Sequence, residues 1–483
     1  MSNNKSGTMI HVFLRLAIVC VLFLASANTA GAKITLPFNF TDNMVLQQKT
    51  EVLFHGLASP KKKITIKTSW DNRMYSTYSD NAGNWKMEII TPSAGGPYEI
   101  SISDGKMITL KNILIGEVWF CSGQSNMEMP LAGWGEIINY EKEIMDATYP
   151  CIRLFQVKHT TAMKPQDEAV VDFGWTECRP ETIGDFSSTA YFFARKLWQE
   201  LKIPIGLIHS SWGGTPAESW TSYEGGEKVN SYKARLEEGM KEAEKNEQYR
   251  PGALYNAMVH PFIEFPIQGV IWYQGEDNVG RATEYVDLFQ AMINDWRTKW
   301  KSVAMPFYFV QLAPFHKPEV VEPTSQWALL REAQCAALNL KNTGMAVITD
   351  IGDSLDIHPK NKQEVGRRLA LLALTDTYNK YELAESTAPK YDDYRVEGSK
   401  IRVRFKQLGQ GLCPEEILKG FIIAGTDHVF YSADAFIEGN DVIVSAPQVT
   451  CPAAVRYGWA DYPVCNLYGK SGLPVSPFRT DKW

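Results

Sequence analysis

Cysteine motifs, clustered histidines, excess positive charge and long apolar runs are all missing or scarce in this chain of 483 residues. None of the eight cysteines is spaced as Cys-x-x-Cys, which removes the common thiol-redox and zinc-ribbon classes. The eight histidines are scattered without ligand spacing, so neither a metal nor another cofactor is expected. Lys and Arg total 49 against 55 Asp and Glu, a net charge of -6 that offers no support for a nucleic-acid partner. No internal repeat or low-complexity segment is evident.

The one prominent apolar run, Leu16 to Ala25, is shorter than the roughly 20 residues of a membrane-spanning helix. Lys5 and Arg15 precede it and Ala30-Gly31-Ala32 follows, the pattern of a secretory signal peptide over residues 1–32. The expectation is an exported protein, periplasmic or extracellular, with no stable membrane insertion. Cys20 lacks the Leu-small-small sequence ahead of a lipoprotein cysteine. Removing residues 1–32 takes away two positive charges and no negative ones, moving the net charge from -6 to -8. Seven cysteines then remain, an odd number that leaves at least one thiol free. Proximity nominates Cys151/Cys178 and Cys451/Cys465 as disulfides, against the ordinary alternative of buried free thiols.

What is present is ordinary globular composition, 45% apolar and 22% charged, in a length that suits two or three domains. Residues 33–110 carry short β runs such as Val52 to His55, Ile64 to Thr68 and Tyr98 to Ile102. Turn chemistry at Gly95-Gly96-Pro97 and Asp104-Gly105 separates them, predicting a small β-sandwich. Residues 111–380 change character. Continuous apolar runs at Ile113 to Cys121, Ile205 to His209, Gly269 to Tyr273, Phe307 to Leu312 and Met345 to Thr349 read as buried parallel strands. Between them, Arg281 to Lys301 places Tyr285, Leu288, Phe289, Met292, Ile293 and Trp296 on one helical face. The Lys- and Glu-rich stretch within 222–250 reads as an exposed helical insertion. From 381 to 483 the β pattern returns, and Gly439-Asn440 marks a hairpin.

Four segments at strand ends carry the candidate groups. Gly123-Gln124-Ser125-Asn126 stops the first buried run, displaying Ser125 at the carboxyl edge of the sheet. A serine hydroxyl needs a base, and His358 stands after the last apolar run, directly before Pro359. A carboxylate on the second ring nitrogen would orient it; Asp356 is nearer, Asp353 the alternative, and a backbone carbonyl the third option. For an oxyanion the candidates are the Ser125 N–H, the glycines of Ser211-Trp212-Gly213-Gly214-Thr215, and the side-chain amide of Gln274.

Together GEVWFCSGQSNMEMP at 116–130, SSWGGTPAESW at 210–220, WYQGEDN at 272–278 and DIHPKNK at 356–362 resemble the sialate O-acetylesterase family of the SGNH/GDSL hydrolase superfamily. The segments at 36–48 and 455–481 extend the resemblance into both flanks. It implies an α/β fold, an SGNH-hydrolase-like (flavodoxin-like) parallel sheet with helices on both faces and β-sandwich domains at either side. It also implies Ser125 as nucleophile, His358 as general base and acid, and Gly213 or Gly214 with Gln274 in the oxyanion hole. Two departures from the superfamily pattern stand out. The nucleophile lies in GQSN rather than GDS, and the position three before the histidine is Leu355, not aspartate.

The implied substrate is O-acetylated carbohydrate: sialic acid by resemblance, acetylated xylan or another plant glycan as the alternative. An inert carbohydrate-binding protein is the reading from a different class. Trp134, Trp212, Trp220, Trp272 and Tyr273 lie in or beside the motif loops as stacking surfaces or as packing. Arg153 and Arg179 are candidates for a sialate carboxylate, with a structural ion pair as the default.

Overall fold

The computed structural model describes residues 34–483 apart from 243–244, 382–387 and 415–416. The segment expected to be a signal peptide, residues 1–32, lies outside the described residues. At the amino end are β1 (Val45–Gln47), β2 (Glu51–Leu57), β3 (Lys63–Thr68), β4 (Met74–Tyr78), β5 (Asn84–Ile90) and β6 (Gly95–Ser103). β2 pairs with β5, and β3, β4 and β6 form a second layer. β3 and β5 alternate buried and less buried residues, as Asn84 to Ile90 does residue by residue.

The next strand, β7 (Met107–Gly123), belongs to two sheets. Its first half pairs antiparallel with β6, while its second half is the centre of a parallel sheet. The expected boundary between residues 110 and 111 therefore falls inside a continuous strand. Lys111-Asn112, with Asn112 at φ 56°, interrupts the apolar pattern without interrupting the strand.

The central sheet adds β8 (Tyr149–Val157), β9 (Val171–Cys178), β10 (Ile205–Ser211), β11 (Gly269–Tyr273), β12 (Phe307–Val310) and β13 (Thr343–Ala346). Their spatial order is β13-β12-β11-β7-β10-β8-β9, parallel except for β9 at one edge. All five predicted buried strands are present, with the last starting two residues early and ending at Ala346. β8 and β9 were not predicted: Arg153, Gln156, Asp172 and Glu177 break up their apolar pattern, and their pairing is irregular.

Helices cover both faces because successive strand residues point to opposite sides. Trp119, Cys121, Ile271 and Tyr273 pack against α2 (Ser188–Leu201) and α5 (Lys362–Leu372). Val118, Phe120, Val270 and Trp272 pack on the other side with α3 (Ala282–Lys299) and α4 (Gln326–Ala336). The six residues expected on one face of α3 are all buried there. A short α1 (Ser125–Glu128) follows β7.

The 222–250 segment contains helices at Tyr223–Gly226 and Asn230–Glu242, as expected, but it is not wholly solvated. Tyr232 is buried and donates its hydroxyl to the Thr221 carbonyl. The carboxyl-terminal region forms two four-stranded sheets around Ile401, Val403, Val442, Phe421, Val455 and Tyr457. Gly439-Asn440 makes the expected two-residue hairpin, with Glu438 opposite Asp441. Buried Arg331 of α4 locks this region to the sheet by donating to the carbonyls of Leu312, Ala313, Ala460 and Asp461.

All seven described cysteines are free thiols, so neither expected disulfide forms. Register explains the first pair, since Cys178 faces Tyr149 rather than Cys151. Burial explains the second, since Cys465 packs beside Tyr457 while Cys451 is exposed.

Candidate active site

Register assembles the site. Gly123 at the end of β7 lies beside Ser211 of β10 on one side and Tyr273 of β11 on the other. The loops that follow these strands therefore emerge side by side, where chain order reverses across the sheet and α/β folds open a crevice. Gly123 has φ 140°, and a Cβ there would stand 2.1 Å from the Tyr273 carbonyl oxygen. Only glycine permits that approach. Gln124 Oε1 then accepts from the Gly275 N–H at 3.1 Å, tying the Ser125 turn to the loop after β11.

Ser125 is half-buried at the first position of α1, and its Oγ is 2.9 Å from His358 Nε2. The other ring nitrogen, Nδ1, is 3.1 Å from Asp356 Oδ1. The same oxygen accepts the His358 backbone N–H at 2.9 Å. Asp353 instead accepts the Leu355 N–H at 2.8 Å, closing a local turn, and Leu355 is 92% exposed. The carboxylate has moved one position along the loop relative to the superfamily pattern, and backbone geometry accommodates it. Burial, helped by the nearby Lys362 charge, holds the His358 pKa below its ordinary value against the opposing pull of Asp356.

Asp356 is 43% side-chain exposed, so solvent screens its hold on the imidazole. Asp356→Ala is expected to lower kcat by about 10- to 100-fold, less than loss of a buried triad acid. Asp353→Ala is expected to stay within about twofold, since it loses only a surface turn. Steady-state rates on a chromogenic acetate ester decide, and a larger loss at Asp353 would overturn the assignment.

The expected oxyanion donors are arranged unequally. Gly213 abuts Ser125, a Cβ there lying 3.1 Å from Ser125 Cβ, but its N–H donates to Glu128 Oε2 at 2.6 Å. Gln274 is fully buried, and its amide nitrogen donates to Asn278 Oδ1 at 2.7 Å and to the Thr215 carbonyl at 3.2 Å. Both of its amide hydrogens are thus committed. The N–H groups of Ser125 and Gly214 carry no acceptor among the described residues. Gly214 is exposed with φ 64°.

Of the five aromatics, Trp220, Trp272 and Tyr273 are core residues. Trp134 is exposed and stands edge-on to His358 with ring centroids 5.3 Å apart. Trp212 is partly exposed and stacks on His159 at 4.4 Å, and His159 Nε2 lies 3.4 Å from Glu128 Oε1. Burial pushes the Glu128 carboxyl up, against the opposing effects of His159 and the Gly213 N–H.

Neither expected arginine is at the site. Arg153 pairs in register with Gly206, at the opposite end of β10 from Ser211, and is buried against Glu177. Arg179 binds the same glutamate. Both serve a structural ion pair far down the strands. A second serine–histidine pair, Ser211 with His209 at 2.5 Å, is fully buried; burial pulls His209 down to about 3 and keeps it neutral.

Sequence reading missed Asn126, Glu276 and Lys362. Asn126 Nδ2 donates to Glu276 Oε1 at 2.6 Å and to the Ile357 carbonyl at 3.1 Å, while Asn126 Oδ1 accepts from Lys362 Nζ at 2.5 Å. All three lie inside the quoted motifs, so their position was the available signal.

The sheet and the chemistry at its switch point define the class: a carboxylic ester hydrolase on an SGNH-like α/β fold. Residues 115–375 match the family model described as carbohydrate esterase, sialic acid-specific acetylesterase, and the chain belongs to that family. It is similar to the sialate O-acetylesterase of Homo sapiens, 27% identical over 518 residues and covering 97% of each chain. The Rattus norvegicus sialate O-acetylesterase is 28% identical over 528 residues, covering 95% of this chain and 96% of that one. Among solved structures, a carbohydrate acetylesterase from Xanthomonas citri superposes with a TM-score of 0.85 at 36% identity, covering 93% of this chain and all of the other.

Proposed function

We propose that the protein is an exported serine esterase that removes O-acetyl groups from carbohydrate, with O-acetylated sialic acid as the first substrate, through an acetyl-Ser125 intermediate. The observation that carries this reading is the Ser125 Oγ to His358 Nε2 contact of 2.9 Å, with Asp356 on the other ring nitrogen. Ser125 attacks the acetyl carbonyl while His358 takes its proton. His358 then passes that proton to the departing sugar oxygen, releasing the sugar and leaving acetyl-Ser125. Water, deprotonated by His358, attacks the acetyl group in turn and frees acetate.

The open N–H groups of Ser125 and Gly214 supply the oxyanion donors, and Gly213 joins them when the Glu128 carboxylate moves aside. Gln274 acts by holding the loops around Asn278 and Thr215. Exposed Trp134 offers an apolar edge to a sugar ring. Lys5, Arg15, Leu16 to Ala25 and Ala30-Gly31-Ala32 support export. Support for sialic acid comes from the names of the relatives, since neither arginine faces the site.

Acetate release from O-acetylated sialic acid, measured beside acetylated xylan with the same enzyme, tests the substrate. Faster release from the sialic acid is expected. Release from xylan alone would transfer the assignment to a plant glycan.

A further inference from the structure

Behind the contact between Ser125 and His358 lies a buried charge that hydrogen-bonds to neither of them. Lys362, at the first position of α5, is fully buried. Its Nζ donates to Asn126 Oδ1 at 2.5 Å and sits 5.1 Å from the Tyr273 ring centroid. Asn126 is also fully buried and passes the interaction on, donating to Glu276 Oε1 and to the Ile357 carbonyl. The second Glu276 oxygen is buried with no hydrogen-bond partner. Taking an ammonium and a carboxylate out of water is costly, and a methionine would fill the lysine's volume without that cost.

The geometry suggests what the charge does. Asn126 follows the nucleophile and Ile357 precedes the base, so their hydrogen bond runs one residue away from the catalytic contact on both segments. The residues between Ala346 and Lys362 form a loop without regular strand or helix, and this bond fastens it to α1. An asparagine amide holds a carbonyl only with its nitrogen turned toward it. Burial pulls the Lys362 pKa down to about 7, but in its charged form the side chain is a donor alone, so the ammonium holds the amide oxygen toward Lys362 and the nitrogen toward Ile357 and Glu276. An apolar group at 362 removes that hold. The amide oxygen then loses its donor, the orientation rests on Glu276 and the Ile357 carbonyl alone, and the clamp loosens.

We propose that Lys362 is a positioning residue that acts through Asn126, its charge fixing the amide orientation by which Asn126 holds the His358 loop at hydrogen-bonding distance from Ser125. The inference rests on the serine-esterase reading given above. It predicts losses in the chemical step rather than in substrate binding or folding.

The test compares Lys362→Met, Asn126→Ala and their double variant with wild type and Ser125→Ala, on a chromogenic acetate ester, with kcat, KM and Tm recorded for each. Lys362→Met is expected to lose about 10- to 100-fold in kcat, as a misplacement of reacting groups does, with KM within about twofold. Its Tm is expected to equal or exceed that of wild type, because a buried ammonium is replaced by an apolar chain. The double variant is expected to lose no more kcat than Asn126→Ala alone, the signature of one residue acting through another. Wild-type kcat in Lys362→Met, or losses that multiply in the double variant, would overturn the proposal. Should Lys362→Met fail to fold, wild-type kcat in Asn126→Ala overturns it alone. Undiminished activity in Ser125→Ala would instead sink the esterase reading, so the two failures are distinguishable.

Discussion

Ser125→Ala is expected to reduce hydrolysis of a chromogenic acetate ester by at least about 10⁴-fold, in the range seen when an acyl-transfer nucleophile is deleted. Among the described residues no other serine is placed to substitute. Ser122 is buried in β7, three residues before Ser125, and Ser211 is buried against His209. The substitution removes one partly exposed oxygen at a helix start, so stability is expected to change by less than about 0.5 kcal/mol. Thermal melting beside the rate measurement separates loss of chemistry from loss of fold. A variant that melts like wild type and hydrolyses like wild type removes Ser125 from the mechanism, and with it the esterase site.

His358→Ala is expected to cost about 10⁴-fold or more in kcat, since nothing else deprotonates the serine or protonates the leaving sugar. Its pH behaviour is a sharper test. The imidazole works as a base only when neutral, and burial together with the Lys362 charge holds its pKa below 6.5. The neutral form therefore persists to lower pH than for a free histidine. In wild type, kcat/KM should rise with pH through a midpoint below 6.5 and then level off. Asp356 pulls the other way, favouring the protonated ring, so Asp356→Asn should move this limb to still lower pH while lowering the plateau. A midpoint above 6.5 in wild type, or a limb that moves up in Asp356→Asn, contradicts the electrostatics of the site.

Much of the fold was legible because its signals are local. Five buried parallel strands announce themselves as continuous apolar runs, and the Gly439-Asn440 hairpin as turn chemistry. β9 escaped because an edge strand needs no continuous apolar run, and β8, between β9 and β10, because its polar residues are satisfied by partners remote in sequence. Arg153 shows this well: its guanidinium reaches the carbonyls of Asn43 and Asn112 as well as Glu177. The tryptophans divide on the same principle. A motif places Trp220 and Trp134 equally near the chemistry, and only packing buries the first and leaves the second exposed.

By itself, then, the sequence determined the five buried strands of the central sheet and the serine and histidine that follow them, because apolar periodicity and turn residues act over a few positions. Tertiary structure alone decided which aspartate meets His358, which N–H groups stay open beside Ser125, and that Gln274 is committed to its neighbours. It alone brought Lys362, Asn126 and Glu276 into one buried cluster. Those outcomes depend on the direction of individual donors and acceptors after distant segments pack, and a hydrogen bond's partner is set by that geometry rather than by its place in the chain.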